Sequence, residues 1–295
     1  MKRLIILLKK VPFIVSLYRI YVIFSGKIRF CWSKMICKTY SEEDLYKMFS
    51  KIGIYPGDKI MIHSSMSRIG LLKDGPNTFV KAIKKYIGEK GLIVMPTFPH
   101  RGSYEYLSNY TMFDIRHTPS KNGAISECFR KSENVYRSLH PTHPIAAWGE
   151  AAKDLMSGHD KTKSMFDEKS PFKKILDLNI KIVLIGVNFD HMTMMRLIED
   201  LYDKYPINVY CNNTFEVPVI GYDGEIINVT TKCHDPQYFG MYRDNTKLYD
   251  YMKNNVKISH LGNAKTMVLY SQDMYNKQLE CCKNGIYFFK KLRFK

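Results

Sequence analysis

The stretch GDKIMIHSS, residues 57–65, decides the fold. Its centre, KIMIH (59–63), is a short apolar run that opens into a serine-rich turn, which predicts a buried strand ending at a loop. Upstream, Ser41 followed by Asp44 forms a helix-capping pair at the head of SEEDLYKMFSKIG (41–53), and Gly53 lies near that helix's end. Downstream, PNTFVKAIKKYIG (76–88) has apolar residues at helical spacing, with Asn77 as its cap. GLIVMPTF (91–98) is the next buried strand. Helix, strand, helix, strand is the alternation of an α/β sheet.

Further along, residues 99–144 are loop-rich and polar, and so long a loop in a compact protein is usually functional. KIVLIGV (181–187) predicts a buried strand that runs through NFDHMT into a helix over MMRLIEDLY. FEVPVIGYDGEIINVTT (215–231) reads as two strands joined at Asp223-Gly224, a strong hairpin signal. The C-terminal part reads as helices ending in the basic tail KNGIYFFKKLRFK. No segment repeats at a fixed period. The expected fold class is α/β with a small antiparallel addition.

The 295 residues are 45% hydrophobic, enough for one large core or two closely packed lobes. Net charge is +17, and nine of the basic residues fall in the first 38 positions, which hold no acid; the rest of the chain therefore carries +8. This splits the chain into a basic, apolar-rich arm (1–38) and a main domain (39–295). Lys9, Lys10, Pro12 and Arg19 interrupt the arm's apolar runs, so neither a signal peptide nor a spanning helix is expected. Two readings of the arm stay open: a helix lying on the inner membrane surface, or an extra helix packed on the protein or an oligomer partner. The positive field favours anionic partners such as coenzyme A phosphates or nucleotide sugars. Nucleic acid is not expected, because no recognition motif or aromatic-interleaved basic face occurs. The seven cysteines are scattered without a CxxC pair. That points to neither zinc nor a disulfide framework, and to reduced thiols in a cytoplasmic protein.

Four stretches resemble, in order, the aminoglycoside 3-N-acetyltransferase family: IMIHSSMSRIG (60–70), GLIVMPTF (91–98), FDIRHTPSKNGAISECFRKSENVYRSLHPTHPIAAWG (113–149) and KIVLIGVNFDHMTMMRLIED (181–200). ISHLGNAKTMVLYSQDM (258–274) is a weaker fifth. The resemblance covers about residues 40–280 and implies a central mixed sheet flanked by helices, with a small antiparallel hairpin addition. It also implies transfer of acetyl from acetyl-coenzyme A to an amine, without a metal. The turn His63, Ser64, Ser65, Met66, together with Thr97 and the loop of Thr118, Ser120 and Gly123, is then expected to line the coenzyme site.

Acyl transfer to an amine requires a base for the nitrogen's proton and donors for the thioester oxygen. His140 and His143, three apart in LHPTHP, are held on a segment that Pro141 and Pro144 keep out of a helix. Here the chain also departs from the pattern. The family reads Thr-x-x-His-x-x-Glu after its fourth stretch, and its histidine is taken as the general base. This chain reads Thr193-Met194-Met195-Arg196-Leu197-Ile198-Glu199. An arginine stays protonated and cannot be that base. His191, with Asp190 or Glu199 as orienting acid, is one replacement; His143 or His140 is another. A third reading is a catalytically inactive, coenzyme-binding relative. The basic charge favours a neutral or anionic acceptor over a polycation, and an amino sugar in surface-polysaccharide synthesis is the expected class.

Overall fold

The computed structural model describes residues 38–109, 112–238 and 243–289. The N-terminal arm, apart from Lys38, and the last residues of the basic tail lie outside the described residues.

A seven-stranded mixed sheet forms the centre. From edge to edge it runs β11 (Lys257–Leu261), β12 (Ala264–Tyr270), β8 (Lys181–Ile185), β2 (Lys59–Ser64), β4 (Leu92–Pro96), β7 (Ile145–Trp148) and β6 (Tyr136–Arg137). The middle three are parallel. Met61 pairs with Val94 of β4 on one side and with Ile182 of β8 on the other. The outer strands are antiparallel to their neighbours. β2, β4 and β8 are almost wholly buried, as short apolar runs covered on both faces must be. One face packs on the helices Glu42–Ile52 and Pro76–Ile87 through Phe49, Phe79 and Ile83; the other packs on Pro171–Asp177 and Ser271–Lys283 through Phe172, Ile175 and Met274.

The first helix is capped as expected: Asp44 N–H donates to the Ser41 hydroxyl, and Ser41 N–H donates to the Asp44 carboxylate at 3.0 Å. The second departs from the expectation. Asn77 is not its cap; Gly75 holds that position and Pro76 starts the helix, where its missing N–H costs nothing. Thr78 supplies the local bond instead, its hydroxyl accepting from Asp74 N–H at 2.8 Å.

The C-terminal part is not purely helical. Ile258 to Met267 form the hairpin β11–β12, which extends the main sheet beyond β8 before the last helix begins. Alternation is weak in these strands because one lies at an exposed edge and the other is nearly buried on both faces. The hairpin at Asp223-Gly224 is present: β9 (Phe215–Ile220) pairs antiparallel with β10 (Ile226–Thr231), and β5 (Phe113–Asp114) joins β9 to make a three-stranded addition. β1 (Thr39–Tyr40) and β3 (Leu71–Leu72) form a small parallel pair. The five described cysteines are free. Among the described residues no helix is long and apolar enough to cross a membrane.

Gly149 closes β7 against the start of β4. Its φ is +122°, and a Cβ there would stand 2.1 Å from the Gly91 carbonyl oxygen. Gly149→Ala should therefore cost about 1–3 kcal/mol from backbone strain, with the clash adding to it, and thermal unfolding should show a lowered midpoint.

Candidate active site

Because β2, β4 and β8 run parallel, their carboxyl ends emerge on one edge, the place where α/β sheets bind ligands. Three loops meet there.

The first follows β2. Ser65 N–H donates to the Ile185 carbonyl at 2.9 Å, tying the turn to the end of β8. Ser65 starts the short helix Met66–Ile69 without using its hydroxyl as a cap, and its only side-chain bond joins Ser67 at 3.3 Å. The Ser65 hydroxyl therefore does not cap the helix. His63 is buried, and its Nε2 has no partner. Burial, helped by nearby His191, pushes its pKa down to about 3. Gly123 comes within 3.9 Å of the Ser64 carbonyl, measured from the position its Cβ would take.

The second loop carries Thr118, Ser120 and Gly123. Buried Arg137 pins it to β4: its guanidinium donates to the carbonyls of Thr97, Ile115 and Thr118 and to the Thr97 hydroxyl. That hydroxyl in turn donates to the Pro144 carbonyl at 2.9 Å. Thr97 is thus fully committed inside the structure, and the Thr118 hydroxyl is likewise occupied by Asp114 N–H. Ser120 N–H donates to Glu127 Oε2 at 2.7 Å. Burial pushes the Glu127 carboxyl up, but bonds from Arg130, Ser120 and Lys131 outweigh it and bring the pKa to about 2.

The third loop holds the proline-flanked pair. His140 is fully buried. Its Nδ1 accepts from the backbone N–H groups of Thr142 and His143, so Nε2 carries the hydrogen and faces the Thr231 hydroxyl at 3.1 Å. Both nitrogens are engaged in shaping the loop. His143 sits at its tip, with its ring 4.6 Å from Phe98, 5.6 Å from His100 and 6.3 Å from His234. Phe98 N–H donates to Asn122 and Lys121 N–H to the Phe98 carbonyl, which joins this loop to the one bearing Gly123. Ser64 and His143 therefore belong to one edge of the molecule, linked through Gly123, Asn122 and Phe98.

Beyond β8, the single helix expected over MMRLIEDLY is a 3₁₀ turn, Thr193–Arg196, followed by one short α-helix, Leu197–Leu201. Glu199 is buried and meets Arg243 Nη2 at 2.9 Å, His234 Nε2 at 3.3 Å and Arg196 Nη1 at 3.7 Å. His191 and Asp190 are exposed; both bond to Asn188 rather than to Glu199. His191 borders a cleft of about 430 Å³ whose walls include Arg68, His260, Asn263 and Lys265. Gly186 admits Arg68 to this cleft: a Cβ at Gly186 would lie 2.5 Å from the Arg68 Cβ.

Sequence reasoning missed this basic cleft, whose residues are drawn from three separated segments. It also missed His234 and Arg243, which lie outside the four stretches, and Arg137, which is quoted only within the third of them.

Serine, imidazole and carboxylate groups thus lie at the parallel edge of a mixed α/β sheet. A family model described as Aminoglycoside 3-N-acetyltransferase matches residues 61–281, and the chain belongs to that family. Aminoglycoside N(3)-acetyltransferase VII of Streptomyces paromomycinus is 22% identical over 76% of this chain and 82% of its own length. The structure of sisomicin-bound AAC-VIa superposes with a TM-score of 0.73 at 24% identity, covering 85% of this chain and all of that one. The binary complex of AAC-IIIb with CoASH gives a TM-score of 0.71 at 19% identity, covering 86% of this chain and all of that one.

Burial also drives the pKa of His100 down to about 4, although a Thr142 backbone bond opposes it, and that of His159 down to about 3 against a bond to Met165. His140 and His143 fall well below their ordinary value, chiefly through burial and then through His159 and His100 respectively. These imidazoles stay neutral in the folded chain while the unfolded chain takes up protons below pH 6.5. Stability should thus be complete above pH 6.5 and decline as pH falls toward 3. Thermal melts at pH 7.5, 6 and 5 should show the decline, with proton uptake on unfolding at pH 5.

Proposed function

We propose that this chain transfers the acetyl group of acetyl-coenzyme A to an amino group of an amino sugar, nucleotide- or lipid-linked, in surface-polysaccharide synthesis. The observation that carries this reading is the charge of the edge where the loops meet. Arg68, Lys265, His191 and His260 surround the cleft beside the serine turn, and a group of phosphates such as the coenzyme's complements them. At the other end the buried carboxylate Glu199 is already matched by Arg196 and Arg243. It offers no free negative charge to a polycationic antibiotic.

In this reading Ser64, Ser65 and Met66 meet the pantetheine arm, and the unpartnered Nε2 of His63 faces the thioester end. Thr97, Thr118, Ser120 and Gly123 shape the loop against which the arm lies. His140 holds the position of His143, which borders the acceptor. The amine attacks the thioester carbon, the carbon–sulfur bond breaks, and coenzyme A leaves as the thiol. A second reading, an inactive coenzyme-binding relative, is favoured by Arg196 alone. Binding of the coenzyme does not separate the two; release of free thiol in the presence of an amine does.

Ser64→Ala/Ser65→Ala should weaken coenzyme binding more than acceptor binding, and Arg68→Ala should weaken it roughly tenfold, as the loss of one charged contact does. Calorimetry with acetyl-coenzyme A measures both. In a thiol-release panel, UDP- or dTDP-linked amino sugars should be acetylated faster than kanamycin. Much faster acetylation of kanamycin overturns the acceptor assignment.

A further inference from the structure

We propose that His234 is the general base of the transfer, oriented by Glu199, and that this pair does the work of the motif histidine that Arg196 displaces. The inference rests on the acyltransfer reading above and adds the residue that performs its proton transfer.

All nine histidines lie among the described residues, so the choice can be made by elimination. His140 and His159 have both ring nitrogens engaged: His140 with backbone N–H groups and Thr231, His159 with Ser138 and the Met165 carbonyl. His191 is exposed and bonded to Asn188. His260 is exposed on an edge strand. His63 and His100 make no contact with a carboxylate. His143 has one nitrogen on the Thr142 hydroxyl and likewise meets no carboxylate. Only His117 and His234 do, and the His117 side chain is 82% exposed on a surface loop beside Asp114. His234 is buried, 3.3 Å from Glu199.

Its surroundings hold the ring still. Tyr210 stacks on it at 5.0 Å and 12°, and Phe166 stacks at 6.0 Å. The Tyr210 hydroxyl donates to Asp200 Oδ1 at 2.6 Å, and the Ser164 hydroxyl donates to the other oxygen of the same carboxylate. The backbone is fixed too: Tyr210 and His234 form an antiparallel bridge, and Asp235 N–H donates to the Val209 carbonyl at 2.9 Å. The charged and titratable groups facing His234 are Glu199, with Arg196 and Arg243 behind it, then Asp200, Tyr210 and His143.

Nε2 is the nitrogen that faces Glu199, at 3.3 Å and without hydrogen-bond geometry, so Nδ1 is the one left to take the amine's proton. A base at rest is often loosely aligned and tightens with substrate present. In the step, the neutral acceptor amine attacks the acetyl carbon of acetyl-coenzyme A. The nitrogen becomes positive and gives its proton to the His234 imidazole. Glu199 stabilises the imidazolium. The carbon–sulfur bond breaks, the thiolate leaves, and the imidazolium's proton passes to it. The products are the acetamide and coenzyme A thiol, and His234 is neutral again.

The test uses the full chain, acetyl-coenzyme A and whichever of kanamycin, glucosamine or a UDP- or dTDP-amino sugar turns over, with thiol release as the readout. His234→Ala should lower kcat by about 10²–10⁴ with coenzyme affinity unchanged, and added imidazole should restore part of the rate, which a merely structural role would not allow. Glu199→Gln should lower kcat less and displace the limb of the pH–rate profile. Where the alanine variant does not fold, His234→Gln keeps bulk and polarity and should be as slow. Wild-type kcat in a folded His234 variant, or loss of activity in His143→Ala but not in His234→Ala, overturns the assignment while leaving the acyltransfer reading intact. Coenzyme binding without thiol release from wild type for any acceptor overturns both.

Discussion

The parallel register of β4, β2 and β8 is the constraint on which the rest depends. Pairing Met61 with Val94 on one side and Ile182 on the other sends three chain directions the same way. Three loops separated by tens of residues then leave the sheet at one edge. A one-residue slip would turn every inward side chain of a strand outward. With both faces of these strands buried, such a slip is strongly disfavoured, and the position of the site is set before any polar contact is made.

Polar contacts then hold the loops at that edge. Among the described residues Arg137 is a buried charge with no carboxylate partner, and it is tolerated because carbonyls and one hydroxyl surround its guanidinium. The same bonds clamp the Thr118 loop to β4 and explain why Thr97, at the strand's end, faces inward. His140 plays a similar part for the proline-flanked loop, where one ring nitrogen gathers two backbone N–H groups. Imidazole suits this work because it is neutral at working pH and offers both an acceptor and a donor.

Arg196 changes the electrostatics of the edge rather than simply removing a base. Glu199 is buried, and a buried carboxylate needs opposite charge and donors around it. Arg243 supplies the close contact and Arg196 a longer one. His234 reaches the same carboxylate from the far side of the hairpin, so charge balance and imidazole orientation come from segments distant in the chain. The fold thus places an imidazole and a carboxylate together beside Arg196, although the Thr-x-x-His-x-x-Glu pattern is broken.

The sequence alone was enough for the alternating α/β order, the capping box at Ser41, the hairpin at Asp223-Gly224 and the family. Those signals are local: spacing of apolar residues, short-range bonds, and motif strings in a set order. It did not reveal that β11 and β12 extend the sheet, because an edge strand and a doubly buried one lack the same alternation. Nor did it reveal which of the candidate side chains are engaged inside the fold. Thr97 and His140 look like site residues in their motifs and are turned inward by Arg137, Pro144 and Thr231. His234 and the cleft of Arg68 and Lys265 look like nothing in the chain. Only tertiary packing pairs His234 with Glu199 and gathers the walls of the cleft, since a contact between distant segments leaves no mark on the local pattern of either.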